Sequence, residues 1–302
     1  MIFTRACSIK INLTLRVFGR REDGYHAIHS LFWRRRSPEI LEVERTDGQD
    51  ELSVEGVKIE GENLLIKSCA LLRSIFGEDA LPHLSMKLFK RLPTGSGLGA
   101  GSGNAAELVR HFFQTSGEVD LPIEAQKIAS LGADVAFLAS AFDLALADGV
   151  GERLEGLDCS ERGLGLKTIV FIPGWSSGTA EAYAALDRSR KAEAFPFMPM
   201  SISEARNESL GVLRRLSEGE IVGPLPNDFI ACDSVHAGFY GDLYGVVEDA
   251  GALAWGLCGS GSSCFALFDE KKFPGTVSRA LSRILAEESS RFTWLHKTLV
   301  LE

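Results

Sequence analysis

The sequence predicts α+β or α/β layers arranged in two domains, and three observations support this fold class. Strand-like and helix-like segments interleave along the whole chain. One run of such segments closes before residue 160, and a new run begins with a strand-like segment at Leu166. The length of 302 residues, with 45% apolar and 24% charged residues, suits one large or two packed domains. We therefore expect an N-terminal domain over 1–160 and a C-terminal domain over 161–302.

The first half begins with a strand, a turn and a helix. Apolar residues alternate with polar ones from Ile9 to Val17, which predicts a half-buried strand with Lys10 and Asn12 on one face. The turn GRREDGYH follows, so Tyr25 and His26 lie beside the exit of that strand. A helix is predicted over Leu64–Phe76, with Asn63 as its N-cap and Gly77 at its end.

Further along, the order is strand, glycine-rich loop and helix. Leu84, Met86 and Leu88 alternate as a strand, and a loop from Pro93 to Ala106 leads into an apolar helical pattern. Another helix ends near Gly132. The last elements of the first half are a short apolar run after Asp134, a strand with Phe142, Leu144 and Leu146, and the turn DGVGE.

The second half has the same mixture of elements. The sequence predicts, in order, a strand KTIVFIP, a helix over Ala180–Leu186, an exposed loop at FPFMPMS, helices over Glu204–Leu216 and Phe229–Val247, strands AWGLC and CFALF, a helix over Val277–Glu287 and a strand over Trp294–Val300.

Composition and charge exclude several functional classes. The net charge of -9, from 32 Lys+Arg and 41 Asp+Glu, argues against a general nucleic-acid or anionic-membrane surface. Uncharged apolar stretches reach about ten residues, well below the ~20 needed to span a bilayer, and the N-terminus lacks the apolar core of a signal peptide. We expect a cytoplasmic protein. Its six cysteines are scattered without a zinc or disulfide spacing and are expected to be reduced, mostly buried thiols.

The loop from Pro93 to Ala106 is the strongest candidate for a ligand site. It contains five glycines, Gly95, Gly97, Gly99, Gly101 and Gly103, directly before a helix. Glycines let backbone N–H groups converge, and a helix N-terminus adds partial positive charge, so the loop can form a phosphate cradle. It lacks the Lys-Ser/Thr pair of a Walker loop and the acidic partner of a dinucleotide fingerprint. The alternative is a flexible surface loop.

Four other features each allow two interpretations. The turn GSGSS at 259–263 is either a plain tight turn or a ligand contact. Lys10 is either a solvated lysine on an edge strand or an ammonium that meets an anion. Asp134 is either the N-cap of a short helix or a carboxylate in an active-site wall. Arg34, Arg35 and Arg36 form a solvated basic edge, with phosphate contact as the minority interpretation.

Taken together, these segments resemble the GHMP kinase superfamily and, within it, the kinases of 4-diphosphocytidyl-2-C-methyl-D-erythritol in the non-mevalonate isoprenoid pathway. The resemblance rests on SIKINL, GRREDGYH, PTGSGLGAGSGNAA, LGADVAF and CGSGSS, which follow in the family's order over nearly the whole chain. ADGVGE, SSGTAEAYAALD and Asn227-Asp228 are also in place. The glycine loop points only to the superfamily, whereas the DGYH turn with SIKINL is far more specific.

The resemblance implies a two-domain α+β fold, with an N-terminal domain like ribosomal protein S5 domain 2 and a ferredoxin-like C-terminal domain. It implies phosphorylation of the acceptor's 2-hydroxyl by ATP, with Mg²⁺ carried by ATP and Ser102 as a further ligand. Lys10 and Asp134 match the catalytic pair, and Asn12, Tyr25 and His26 match the acceptor site. The positions that match the ATP site are Pro93, Gly95, Gly97, Leu98, Gly99, Gly101, Ser102, Asn63 and Lys90.

Three positions depart from the family's pattern. Ser8-Ile9 stands for Pro-Ala before the lysine, Ala136 stands for a proline, and Gly103 stands for the second serine of the phosphate loop. The alternative functions are another small-molecule kinase of the homoserine or mevalonate type and a catalytically silent ligand-binding relative. The resemblance implies a small-molecule substrate, cytidine diphosphate methylerythritol, as the partner. From the net charge we expect neither nucleic acid nor a membrane as a partner, and we expect a monomer or weak homodimer.

Overall fold

The structure is a computed structural model that describes residues 1–58, 63–77, 81–116, 125–158, 164–192, 200–233, 235–273, 281 and 295–301. They form two β-sheets with helices packed against them, which confirms the mixed helix and strand architecture. Residues 195–199 of the expected exposed loop and, apart from Leu281, the helix expected over Val277–Glu287 lie outside the described part of the chain.

The first sheet has six strands and is largely antiparallel. Its strands are β1 Phe3–Arg20, β2 His26–Thr46, β3 Glu51–Gly56, β4 His83–Lys90, β5 Leu144–Gly149 and β6 Arg153–Gly156. The order is β3-β4-β2-β5-β6, with β1 paired to β2, and β3 is parallel to β4. The helices of this half are α1 Leu64–Phe76, α2 Ala100–Ser116, α3 Ala125–Ala129 and α4 Ala133–Ala139.

The second sheet has five strands in the order β11-β7-β10-β9-β8. Its strands are β7 Leu166–Pro173, β8 Gly223–Pro224, β9 Ala254–Leu257, β10 Cys264–Asp269 and β11 Leu295–Leu301, and its helices are α5 Thr179–Ala192, α6 Ile202–Ser217 and α7 Ala237–Asp249. Strands of the first sheet thus end at Gly156, and those of the second begin at Leu166. The domain boundary at residue 160 stays a prediction.

Strand β1 is buried on both of its faces, whereas the alternation of its residues predicts a half-buried strand. Ile9 and Ile11 are fully buried on the apolar face, and Lys10 and Asn12 are 5% and 3% exposed on the other. The polar face can be buried because it finds polar partners; the Thr14 and Ser209 hydroxyls, for example, lie 2.6 Å apart. A solvated edge lysine at position 10 is therefore excluded.

The second edge of β1 is covered by two loops. The Lys10 N–H donates to the Leu98 carbonyl at 3.0 Å, in the glycine loop. Farther along, the Leu15 N–H donates to the Pro226 carbonyl at 2.9 Å, and the Asp228 N–H donates to the Leu15 carbonyl at 3.1 Å. A buried strand edge needs such partners for its backbone groups. Both loops are therefore fixed relative to β1.

The helix boundaries follow the caps. The Asn63 side chain accepts a hydrogen bond from the Leu65 N–H at 2.9 Å, and Gly77 ends α1 with φ 95°, as predicted. The expected loop over Pro93–Ala106 is too long, because α2 already begins at Ala100. The Gly103 N–H donates to the Gly99 carbonyl at 2.8 Å and closes the first turn of α2.

Two other expectations about the chain are wrong. The helix expected from Phe229 begins only at Ala237, because the Asn227 side chain accepts from the Phe229 N–H at 2.9 Å and holds a turn there. Phe142 precedes β5 rather than lying in it.

The basic edge is solvated only at Arg36. Arg34 is 10% exposed in its side chain and donates to the Asp143 carboxylate and to the Ser140 carbonyl. The guanidinium of Arg35 lies 4.3 Å from the ring centroid of Trp33. These contacts give the first two arginines structural partners.

The described cysteines are free thiols, and burial raises the pKa of the Cys69 thiol to about 12. Cys159 lies outside the described residues. Among the described helices, none is long and apolar enough to cross a membrane.

Helix α2 approaches β1 so closely at Gly103 that a Cβ there would overlap the Ser8 carbonyl group. We therefore expect Gly103→Ala to lower the free energy of unfolding by about 2 kcal/mol or more, in the range of overpacked sites. Gly101, two residues away in the same helix, has open space where a Cβ would lie and no positive φ. Gly101→Ala should raise the free energy of unfolding by about 0.5–1 kcal/mol. Urea denaturation measures both; equal effects of the two substitutions would contradict the close contact.

Candidate functional site

Lys10 and Asp134 meet at the centre of the site. Strand β1 carries Lys10 and the first turn of α4 carries Asp134, and the Lys10 Nζ lies 3.6 Å from the Asp134 Oδ1. The side chains are 7% and 28% exposed, so the lysine is almost enclosed while the carboxylate remains accessible. Lys10 also donates to the Asn12 Oδ1 at 2.8 Å. The pair thus offers a cation and a carboxylate to one small region.

Asp134 is not the N-cap of its helix. Gly132 occupies the N-cap position of α4 without a side-chain hydrogen bond, and Asp134 is the acidic residue of the first helical turn. The capping interpretation of Asp134 is therefore wrong. Its charge is compensated by Lys10 and by the partial positive charge of the helix start.

The glycine loop runs between this pair and the second glycine turn. Gly95, Gly97 and Gly99 have φ values of 69°, 77° and 66°, which favour glycine. A Cβ on Gly97 would overlap the Cys258 carbonyl group, and one on Gly99 would lie 3.0 Å from the Asp134 Oδ2. Neither position has room for a side chain, so the loop is a closely packed segment rather than a flexible one.

The turn at 259–263 packs directly on that loop. The Ser263 N–H donates to the Ser96 carbonyl at 3.1 Å. A Cβ on Gly259 would lie 3.3 Å from the Lys10 Nζ and 3.0 Å from the Gly97 carbonyl oxygen. The turn is therefore a tight turn beside the lysine, and its contact with a ligand stays a prediction.

The other predicted loop residues lie at the two ends of the cradle. Pro93 is at the beginning of the loop. Leu98 is buried, and its carbonyl accepts a hydrogen bond from the Lys10 N–H. Gly101 and Ser102 lie in the first turn of α2, with the Ser102 Oγ near the start of α4 at Gly132. A glycine loop with positive φ values and the N-terminus of α2 thus lie beside Lys10, and such segments can present backbone N–H groups to an anion.

The departure at Gly103 has a structural explanation. A side chain there would point toward the Ser8 carbonyl of β1 rather than away from the helix. The Ser8 Oγ donates to the buried Glu107 at 3.1 Å, one turn farther along α2. The two departures from the family's pattern at 8 and 103 therefore touch each other.

The turn after β1 presents one exposed and one buried aromatic residue. Tyr25 is 67% exposed. The His26 Nε2 donates to the Asp187 Oδ1 on α5 at 2.8 Å, because a carboxylate only accepts. The His26 ring stacks on Tyr183, also on α5, with centroids 4.8 Å apart and an interplanar angle of 20°.

Tyr183 and Asp187 are site residues that sequence reasoning missed. Both lie within the segment SSGTAEAYAALD, four residues apart on one face of α5, and this spacing was the available signal. Burial, and then the negative charge of Asp134, raise the pKa of Tyr183 to about 12. Tyr183 therefore packs on the His26 ring and lies within the electrostatic influence of Asp134.

Asn63 and Lys90 have structural partners elsewhere. Asn63 caps α1, and the Lys90 ammonium is fully enclosed and donates to the Glu39 Oε1 at 2.6 Å. Their predicted contacts with adenine stay predictions. No group of three or more His, Cys, Asp or Glu suitable for a metal occurs among the described residues.

Comparisons with known proteins point in one direction. A family profile described as "GHMP kinases C terminal" matches residues 239–286. A 4-diphosphocytidyl-2-C-methyl-D-erythritol kinase of Mesorhizobium japonicum is 35% identical over 93% of this chain and 90% of its own length. The Porphyromonas gingivalis protein of the same name is 33% identical over 87% of this chain and 90% of its own.

Solved structures agree. A crystal structure of 4-(cytidine 5'-diphospho)-2C-methyl-D-erythritol kinase has a TM-score of 0.72 at 28% identity, and the match covers 99% of this chain and 98% of that chain. A homoserine kinase from Cytophaga hutchinsonii has a TM-score of 0.61 at 17% identity, over 98% of this chain and 94% of that chain. The second likeness concerns the fold alone.

The proximity of Tyr183 to Asp134 can be tested by titration. Because the Asp134 charge opposes ionisation of the phenol, Asp134→Asn should lower the pKa of Tyr183 below about 12, while burial, the larger cause, keeps it above the ordinary value of about 10. The chain has four tyrosines, so ¹³C labelling of the phenol carbon and NMR titration can follow them separately. Asp148→Asn serves as the control. An unchanged Tyr183 pKa in Asp134→Asn would contradict the electrostatic link.

Proposed function

The chain belongs to the 4-diphosphocytidyl-2-C-methyl-D-erythritol kinases of the GHMP kinase group, and from this we propose that it transfers the γ-phosphoryl group of ATP to the 2-hydroxyl of 4-diphosphocytidyl-2-C-methyl-D-erythritol. The chain is a small-molecule kinase of isoprenoid synthesis. The observation that carries the proposal is the Lys10–Asp134 pair, 3.6 Å apart beside a closely packed glycine loop.

The glycine loop and the start of α2 are suited to the phosphates of ATP. Gly95, Gly97 and Gly99 leave the loop without side chains where backbone N–H groups converge. The N-terminus of the 17-residue helix α2 adds partial positive charge. We assign this cradle to ATP, together with Pro93, Leu98, Gly101 and Ser102.

Mg²⁺ would neutralise charge on the phosphoryl oxygens when it is bound with ATP. The described residues offer no cluster of carboxylates or imidazoles for it, so the fit is that of an ion held mainly by the nucleotide. The Ser102 hydroxyl, in the first turn of α2, is the protein ligand that we propose.

Asp134 and Lys10 have complementary tasks in the proposed reaction. Phosphoryl transfer needs mainly a positioned hydroxyl and stabilised charge, because its transition state is loose. The Asp134 carboxylate orients the acceptor hydroxyl and takes its proton late in the transfer. The Lys10 ammonium holds the carboxylate in place and stabilises negative charge on the acceptor or phosphoryl oxygens. We also assign Asn12, which accepts a hydrogen bond from the Lys10 Nζ, to the acceptor site.

We assign the cytidine end of the acceptor to the turn that carries Tyr25 and His26. Tyr25 is exposed and offers a ring face for a base, and Tyr183 adds a second aromatic ring beside His26. We also propose the domain division into 1–160 and 161–302, with a first domain like ribosomal protein S5 domain 2 and a ferredoxin-like second domain. The end of the first sheet at Gly156 and the start of the second at Leu166 support this division.

The acceptor is tested by a coupled assay of ADP release. We expect turnover with 4-diphosphocytidyl-2-C-methyl-D-erythritol and none above background with homoserine or mevalonate, since those acceptors lack a base for the Tyr25–His26 turn. Uncoupled ATP hydrolysis is measured without acceptor as the control. Turnover with homoserine or mevalonate alone would overturn the assignment.

The catalytic pair is tested by substitution. Asp134→Asn keeps the size of the side chain but removes its charge and its proton affinity, so kcat should fall by about 10² to 10⁴ with little change in acceptor affinity. Lys10→Met should cause a similar loss. If the two residues act as one unit, the double variant should be barely slower than either single variant. A normal kcat with a melting temperature several degrees lower in Asp134→Asn would assign the carboxylate to stability instead.

A further inference from the structure

The Glu39 carboxylate, on β2, is fully buried and accepts three hydrogen bonds through one oxygen. The donors to its Oε1 are the Lys90 Nζ at 2.6 Å, the Leu92 N–H at 2.8 Å and the Arg91 N–H at 3.1 Å. Its other oxygen, Oε2, is buried without a hydrogen-bond partner among the described residues. A buried acceptor without a partner costs free energy, so the position of this carboxylate is maintained against a penalty.

The three donors are consecutive residues that lead out of the sheet into the glycine loop. The ladder between β2 and β4 ends at the pair Ile40 and Phe89. Beyond this pair, the ladder no longer supplies backbone acceptors on β2 to the N–H groups of Arg91 and Leu92. The Glu39 side chain accepts from these two N–H groups instead. Pro93 and the loop follow at once.

The far part of the same loop is held by other contacts. The Leu98 carbonyl accepts from the Lys10 N–H at 3.0 Å, and the Gly95 carbonyl accepts from the Ser177 N–H at 3.1 Å. At the beginning of the loop, Glu39 fixes the backbone by accepting from the Arg91 and Leu92 N–H groups. A glycine-rich segment loses much conformational freedom when it is ordered, so fixed ends reduce the entropy lost on binding a ligand.

We propose that Glu39 is a positioning residue for ATP: it fixes the start of the glycine loop, so that the loop's N–H groups converge before the nucleotide arrives. The inference rests on the proposed function in so far as the loop is the phosphate cradle. Glu39 touches neither substrate, and it acts through the Arg91 and Leu92 N–H groups. The pair with Lys90 alone would not require these two backbone contacts.

The test compares two double variants that both remove the buried charges. Glu39→Gln with Lys90→Met keeps an oxygen that can accept from the two backbone N–H groups, and Glu39→Ala with Lys90→Met does not. We expect ATP to bind about tenfold more weakly to the Ala variant than to the Gln variant, because a loop that is no longer ordered in advance loses more entropy on binding. Calorimetry with ATP and without acceptor measures this difference. The KM for the acceptor should differ between the two variants by less than about twofold, since the proposed acceptor site does not include the beginning of the loop.

Asp50→Asn is the matched control. Asp50 accepts from the Arg73 guanidinium and from the Leu84 N–H at 2.9 Å, so it combines a basic side chain with a backbone N–H as Glu39 does. Leu84 lies near the start of β4 and Lys90 at its end, about 20 Å apart at ~3.3 Å per residue. We expect Asp50→Asn to lower the melting temperature and to leave ATP binding unchanged.

Equal ATP affinity of the two folded double variants would overturn the proposal. Glu39→Asp alone supplies a second measurement that does not depend on the Ala variant folding. It keeps the charge beside Lys90 but withdraws the carboxylate by one methylene from the Arg91 and Leu92 N–H groups. Amide exchange should therefore quicken at Leu92 and at Gly95–Gly99 more than in α1, and unchanged exchange there would equally overturn the proposal. The outcome is separate from the acceptor assay. ATP affinity that follows Glu39 in a protein that phosphorylates no cytidine acceptor would support this inference and reject the proposed function.

Discussion

A strand that is buried on both faces must find partners for both of its edges, and β1 satisfies this requirement in a way that assembles the site. One edge pairs with β2, and the other accepts the glycine loop at Leu98 and the segment 226–228. The second segment carries Asn227, whose side chain donates to the carbonyls of Leu257 and Gly259. The edge of one strand thereby holds both glycine turns beside Lys10, and the cradle and the lysine belong to one hydrogen-bonded unit.

The electrostatics of the site are local, as a net charge of -9 requires for a protein that binds phosphates. Attraction for an anionic ligand comes from the Lys10 ammonium, from backbone N–H groups and from the start of α2. An ammonium has three protons to donate. Among the residues that the structure describes, only Asn12 accepts one of them, at 2.8 Å, while Asp134 lies at the longer distance of 3.6 Å. Lys10 therefore retains the capacity to bind phosphoryl oxygen without first losing its partners.

Local patterns predicted what depends on local interactions. Helix α1 has the predicted bounds because Asn63 and Gly77 mark its ends, and β1 and β4 follow from their alternation. The glycines at 100–106 argued against a helix there. Position 103 lies in α2 nevertheless, and its residue is glycine because β1 leaves no room for a Cβ. The partners of His26 and Glu39 are 161 and 51 residues away, and no local spacing indicates such pairs. The sequence likewise did not predict that the polar face of β1 is buried, because that burial depends on the packing of α4 and α6, which are distant in the chain.

The contact between Ser8 and Gly103 links two positions that lie far apart in the sequence. Where the family's pattern has Pro-Ala before the lysine and a second serine in the loop, this chain has a serine on the strand and a glycine on the helix, and the two residues touch. A side chain restored at position 103 would overlap the backbone carbonyl of Ser8, so this exchange requires β1 to move away from α2. Recombination between this gene and a relative's would be tolerated when the crossover leaves β1 and the first turn of α2 from the same parent. The glycine loop is therefore coupled by packing to a strand that lies about ninety residues before it in the chain.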